Sequence, residues 1–348
     1  MVYAVTNYYK RIIGQGRCFL TVEDEKMKMV TRALLAAGVS ALLVFVNVPS
    51  LMAAPTQTKT ITWAGCGISK NAFMNEMVAA YEKKTGVKVE LLGGGATKGI
   101  RQVSNKEVQI GGTCRHVIEK DKSMMTHDEE RRVELRPVAW DAIAVVVNKD
   151  NPVDNISVDQ LRKLHKGLIT NWKELGGKDA PIELYVNKSK ISGVGRILRE
   201  LLFYNYDEEF VAKYEVEETP NLEKDIVTNP NGIGTTGISS ARKLKGIAKI
   251  VKLDGKEPSV ENIRTGKYLL YRPLYIVTHL QEKDPEVKKF VAFVTGEEGK
   301  EIMRKAGTVP YEDAVGLWLT YLDQQNRAMN NRLHVAEPAD NKAKIAKK

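Results

Sequence analysis

The stretch WDAIAVVVNKDNPVDNISVDQLRKLHKGLITNWKELGG, residues 140–177, decides how the chain is read. Within it, AIAVVVN (142–148) is an unbroken aliphatic run of strand type. An Asn-Pro turn at 151–152 ends the run, and SVDQLRKLHKG (157–167) then reads as an amphipathic helix. A strand delivered through a turn into a helix is the repeating unit of an α/β fold.

The same alternation extends in both directions. Upstream, TITWAGCG (60–67) is a strand running into a glycine turn, and SKNAFMNEMVAAYEKKTG (69–86) is a helix with Phe73, Met77, Val78 and Tyr81 at helical spacing and Gly86 as its cap. VKVELLGGG, ATKGIRQVSNKE and VQIGGT continue as strand, helix and strand. Downstream, SGVGRILRELLFYNY (192–206) and DEEFVAKYEVEE (207–218) read as helices, and PIELYVN, GIGTTG and KIVKL as strands or turns. RPLYIVT (272–278) reads as a strand and 284–307 as two short helices. In AVGLWLTYLDQQNRAMNNRL (314–333), Val315, Trp318, Leu319 and Leu322 share a face expected to bury against the protein body. The polar, basic end at 334–348 is expected to be disordered.

A chain of 348 residues, 43% hydrophobic and 28% charged, has the composition of a globular protein of about two domains. MKMVTRALLAAGVSALLVFVNVPSLMAAP (27–55) has the layout of a secretory signal peptide, with Lys28 and Arg32 ahead of an apolar run that ends in small residues. Residues 1–53 are therefore expected to be an extended N-terminus plus signal peptide, with initiation at Met27 or Met29; an uncleaved membrane anchor is the alternative. Without them 47 Lys/Arg face 40 Asp/Glu, a net charge of +7. Such a balance attracts anions. The lysines are scattered rather than gathered in a stripe, so no nucleic-acid partner is expected. Loss of Cys18 leaves Cys66 and Cys114 in a compartment where disulfides persist, with no CxxC or CxxCH pattern.

Glycines mark the candidate site. Gly65, Gly67, Gly93, Gly94, Gly95, Gly111, Gly112 and Gly193 follow strand-like runs, and several precede helix-like ones. Ligands of open α/β sheets bind at such strand ends, and a helix N-terminus holds an anion through free N–H groups. Ser69, Thr97, Thr113 and Ser192 add hydroxyl donors. GGGATKG (93–99) is neither a Walker loop nor a dinucleotide fingerprint.

With these residues in view, the chain resembles the PstS-like phosphate-binding proteins of ABC transporters. Residues 140–177 are similar to that family's crossover strand, helix and ITNWKE corner, YRPLYIVT (271–278) to its returning hinge strand, and 290–314 to its closing helices. The resemblance covers roughly residues 58–315. It implies a two-lobed type II periplasmic-binding-protein fold with two hinge crossover strands, near Ala142 to Val147 and Arg272 to Val277. Lobe one is then 58–143 plus 272–315 and lobe two 144–271, with a C-terminal helix at 316–333.

The resemblance also implies the ligand residues: Gly67 and Ser69 in the first loop; Gly95, Ala96 and Thr97 in the second; Thr113 and Cys114 in the third; and Lys188, Ser192 and Gly193 in lobe two. Cys114 stands where phosphate binders carry an aspartate, Lys188 where they carry an arginine, and Val194 where they carry a threonine. A thiol is a weak acceptor and lysine lacks the guanidinium fork, so a changed or relaxed ligand is expected. Three readings of the cysteines stay open: a Cys66–Cys114 disulfide, free thiols binding a soft metal or thiophilic oxyanion near His116, or separate inert thiols. His127, His165, His279 and His334 are scattered, and no nucleophile and base pair is visible.

The expectation is an exported, monomeric, non-enzymatic solute-binding protein without cofactor, located in the periplasm. It captures a small inorganic oxyanion, phosphate first, and hands it to an ABC permease. The alternative is a periplasmic interaction or redox-partner protein that reuses the fold with a plugged or altered site.

Overall fold

The computed structural model describes residues 60–120, 125–217 and 219–334; the expected leader at 1–53 and the expected tail beyond His334 lie outside them. The strands are β1 (Thr60–Gly65), β2 (Lys88–Leu92), β3 (Ile110–Thr113), β4 (Val133–Asn148), β5 (Asn155–Ile156), β6 (Glu183–Asn187), β7 (Tyr214–Val216), β8 (Gly232–Gly237), β9 (Ala248–Leu253), β10 (Tyr271–His279) and β11 (Val309–Pro310). The main helices are α1 (67–85), α2 (Gly95–Ser104), α3 (Val158–His165), α4 (Gly193–Phe203), α5 (Thr219–Thr228), α6 (Ile238–Lys243), α7 (Val260–Arg264), α8 (Pro285–Thr295), α9 (Glu297–Lys305) and α10 (Leu317–His334). Among the described residues no helix is long and apolar enough to cross a membrane.

The sheet runs β2-β1-β3-β10-β4-β8-β6-β7, and β4 is shared by its two halves. From Val133 to Ala142 it lies antiparallel to β10; from Ile143 onward it pairs with β8 and β9. The Ile143 N–H donates to the Leu270 carbonyl at 2.8 Å, which fastens the two crossover segments side by side. A bulge sets Leu274 opposite Ala139 and Tyr275 opposite Pro137, so the ladder steps past Val138 next to a residue that cannot donate. The aliphatic run 142–147 is buried on both faces, which is why it lacks polar alternation.

Each half has its own core. In the first, Ile61, Trp63, Met77, Tyr81 and Phe290 pack on one face of the sheet, and Ala64, Ile100, Val103 and Val277 pack under α2 on the other. The second core gathers Val145, Leu161, Ile197, Leu201, Ile233 and Ile263; Val309, Ala314, Leu317 and Tyr321 join it.

Two sequence expectations are corrected. DEEFVAKYEVEE is not a helix: 207–213 is irregular and Tyr214–Val216 is β7, parallel to β6. Tertiary bonds override helix propensity there, because Val211 N–H donates to the His165 carbonyl at 2.8 Å and Lys213 N–H to the Leu184 carbonyl at 3.0 Å. Phe210 lies against the ring of His165 and under the guanidinium of Arg199. The C-terminal helix is also turned from its expected face. Leu317, Tyr321 and Ala328 are buried, whereas Val315 and Leu319 point to solvent and Trp318 is half-buried.

Candidate functional site

Three helices, α1, α2 and α4, follow strands β1, β2 and β6; the start of α4 packs on Ala96 of α2 and on Cys114, and Ile68 of α1 lies against Gly237 of β8. Cys66 caps α1, its Sγ accepting the Ser69 N–H at 3.4 Å and lying 3.1 Å from Ser69 Oγ. Gly94 and Gly95 enter α2 with φ of 109° and 82°, a left-handed path that suits glycine. Gly193 of α4 packs on Cys114 Sγ and on Ala96.

At this junction stands Arg272, fully buried at the start of β10. Its Nη2 donates to Asp141 Oδ2 at 3.3 Å and its Nη1 to the Gly193 carbonyl at 3.4 Å, both long for charge-assisted bonds. Among the described residues its Nε has no hydrogen-bond partner. Burial favours loss of the guanidinium proton, but Cys114, Asp141 and Cys66 outweigh it and hold the group charged. Burial pushes the Asp141 carboxyl up, with Arg272 opposing. A desolvated cation with an unused donor beside helix N-termini is a place prepared for an anion.

Cys66 and Cys114 are both buried and free, and each acts on the ionisation of the other. The structure thus holds a dithiol where the sequence had admitted a disulfide. Burial opposes ionisation of Cys66, but Cys114, Ser69 and the Arg272 charge hold it down to about 7. Cys114, bonded to Cys66 and buried, moves up. Among the described residues no group of three or more His, Cys, Asp or Glu is arranged for a metal ion.

The structure gathers Ser69, Ala96, Cys114 and Gly193 around this point and places the other expected residues differently. Gly67 and Gly95 are exposed on its rim. Thr97 Oγ1 donates to the Ile191 carbonyl at 2.9 Å. Thr113 Oγ1 donates to the Arg115 carbonyl, and Ser192 Oγ accepts the Gly195 N–H as the cap of α4. Lys188 stands apart: it is exposed, 3.4 Å from Glu217, and its N–H donates to the Val216 carbonyl in continuation of the β6–β7 pairing. Val194 joins the apolar core of the first half.

Sequence reasoning passed over Asp141, Arg272 and Arg115. The available signal was a charge inside an otherwise apolar buried strand, WDAIAVVVN and YRPLYIVT, since such a charge needs a partner. Arg115 is fully paired: Nη1 and Nη2 donate to Glu130 at 2.9 and 2.8 Å, Nη2 also to Thr97 Oγ1 at 3.0 Å, and Nε to the Ile191 carbonyl at 2.8 Å. It ties the loop after β3 to the entrance of α4. His116 faces Tyr275 and Tyr321, His165 bonds the Leu161 carbonyl, and His127 and His279 each accept a local backbone N–H.

Two α/β halves joined by paired crossover strands, with helix N-termini and a buried guanidinium at the junction, define a periplasmic-binding-protein-type fold. A PBP superfamily domain model matches residues 53–298, and the chain belongs to the PstS-like members of that superfamily. It is 31% identical over 260 residues to the phosphate-binding protein PstS of Bacillus subtilis (strain 168), covering 71% of this chain and 80% of that one. A phosphate-bound structure from Clostridium perfringens, described as a putative phosphate ABC transporter substrate-binding protein, superposes with a TM-score of 0.65 at 26% identity, covering 72% of this chain and 99% of that one. An ABC-type phosphate transport receptor from Vibrio cholerae gives 0.55 at 26% identity, covering 72% and 100%.

Proposed function

We propose that the protein is an extracytoplasmic receptor that captures a small oxyanion, phosphate first, and delivers it to an ABC importer. The observation that carries this reading is Arg272, a fully buried guanidinium between Asp141 and the start of α4, whose Nε has no hydrogen-bond partner among the described residues. The names of its relatives agree with it. In this reading 58–143 plus 272–315 and 144–271 are two lobes that hinge on β4 and β10, and closure brings Gly193 onto the first lobe. A cleavable signal peptide within 1–53 exports a monomer to the periplasm, where an ABC permease is its partner. No catalytic step is needed.

Calorimetric titration with phosphate, sulfate, arsenate and molybdate tests the reading. Phosphate binding in the micromolar range or tighter, lost in Arg272→Gln, is the expected result. Heatless titrations with all four anions would remove the receptor reading and leave the interaction-protein alternative.

A further inference from the structure

A cleft of about 410 Å³ opens between the turn after α2, the residues before β4 and the end of β10. Its His279 lies seven residues beyond Arg272 along β10, on the order of 20 Å of strand, so the cleft is separate from the junction. Lys106, Arg132 and His279 line it, and no carboxylate does among the described residues. Nearby basic groups are neutralised: Lys120 and Arg131 both pair with Asp128, at 3.0 and 3.3 Å. Lys106 and Arg132 have no such acid. Lys106 Nζ donates to Gln281 Oε1 at 3.3 Å. Arg132 donates from Nε to the Ser104 carbonyl and from Nη2 to Asn105 Oδ1, both at 3.0 Å. That covers the negative end of α2 and leaves Nη1 to spare. The acids closest by are engaged elsewhere: Glu107 accepts from Gln102 and Asn105, and Glu282 accepts the Asp284 N–H.

Two features set this cleft apart from ordinary basic surface. Lys106 has a φ of 61°, at a helix-ending position where glycine is the residue of least strain. A lysine there holds a strained backbone that its ammonium group does not need unless it has something to bind. His279 is more than nine-tenths buried, and its Nδ1 accepts the Gln281 N–H at 3.0 Å. The neutral ring therefore carries its proton on Nε2 and donates from there. Beside these donors Leu280, an apolar side chain 63% exposed, forms part of the same lining.

We infer that this cleft is a further anion site that takes an organic phosphate monoester, its phosphate held by Lys106, Arg132 Nη1 and His279 Nε2 and its organic body laid on Leu280. A tetrahedral head group offers oxygens in several directions to donors arriving from three segments, and arginine and lysine are both suited to it. The volume falls in the range of small-molecule pockets, about 300–1,000 Å³, and leaves room for more than a bare oxyanion. The site does not depend on capture at Arg272.

The test is calorimetry with glycerol 3-phosphate at about pH 7.5, where a phosphate monoester is largely dianionic. The full protein is titrated as wild type and as the double variant Arg272→Gln, Asp141→Asn, which disables the junction. The double variant should still bind one equivalent of the ester, several-fold more tightly than it binds inorganic phosphate. Adding Lys106→Gly should weaken that binding at least about tenfold, the usual worth of one charge-assisted bond. Glycine suits the positive φ, so thermal melting should show no loss of fold. Introduced into wild type, Lys106→Gly should remove the same equivalent of ester. An absence of ester heat in the double variant, ester binding that Lys106→Gly leaves unchanged, or inorganic phosphate bound as tightly as the ester overturns the assignment. Each of these leaves capture at Arg272 untouched, because inorganic phosphate titrated into Lys106→Gly alone reports on that site.

Discussion

Gly193 rests directly on the thiol of Cys114: a Cβ at that glycine would lie 2.3 Å from Sγ and 3.1 Å from the Ala96 Cβ. A methyl group fits only if the Cys114 thiol swings away or the start of α4 moves back from it, so Gly193→Ala should hold the start of α4 away from the first half. The expected outcome is a larger radius of gyration by small-angle scattering under saturating phosphate, and phosphate affinity at least about tenfold weaker. An unchanged radius and affinity would show that α4 does not close on the ligand.

Arg272 and Asp141 form a buried pair whose members depend on each other. Replacing Arg272 by Gln removes charge-assisted bonds each worth about 1.5–3 kcal/mol, so phosphate affinity should drop about a hundredfold or more. It also strands Asp141, at an expected cost to folding of about 3–5 kcal/mol. Adding Asp141→Asn to Arg272→Gln should recover most of the stability and none of the affinity. Urea unfolding alongside calorimetry separates the two effects.

Glu130 supports the same region from behind. Burial opposes its ionisation, but Arg115 holds its carboxyl below the usual glutamate value of 4.5. A depressed folded value contributes stability that is present above the unfolded value and lost as pH falls through the folded one. Glu130→Gln should therefore cost about 3 kcal/mol near pH 7, and the gap to wild type should narrow in urea titrations as pH falls below 4.5.

Glu200 on α4 behaves in the opposite sense. Burial pushes its carboxyl up to about 7, with Arg196 and the hydroxyls of Tyr206 and Tyr321 opposing. Here stability is complete below the unfolded value of 4.5 and is lost as pH rises toward about 7. Glu200→Gln should melt close to wild type near pH 5 and several degrees higher near pH 8. A melting difference that does not change with pH would contradict this.

Much of the architecture is legible because burial on both faces leaves a plain trace: AIAVVVN carries no polar residue before Asn148, and the glycines at 65–67 and 93–95 end strands β1 and β2. The helix read into 207–218 failed because its backbone is claimed by His165 and Leu184, partners far away in sequence. The face of α10 was misjudged for a related reason. Which side is buried depends on α4 and the rings of His116 and Trp140, and periodicity alone fixes only that some side is. Lys188 matches a ligand position in the resemblance, yet its N–H is held by Val216 and its side chain runs to solvent beside Glu217. Arg272 and Asp141 come together because β10 pairs with β4, with Arg272 facing Asp141 in that register.

The helix α10 lies beyond residue 298, where the match to the superfamily ends, and touches both sides of the junction. It packs on α4, while its Tyr321 stacks on His116 at 5.5 Å, from the loop after β3. In the proposed receptor, parting of the halves would break this ring contact as well as the bonds to a captured anion. The contact involves no ligand atom, so in that reading it would add nothing to discrimination between anions and should lengthen the residence time of every cargo alike.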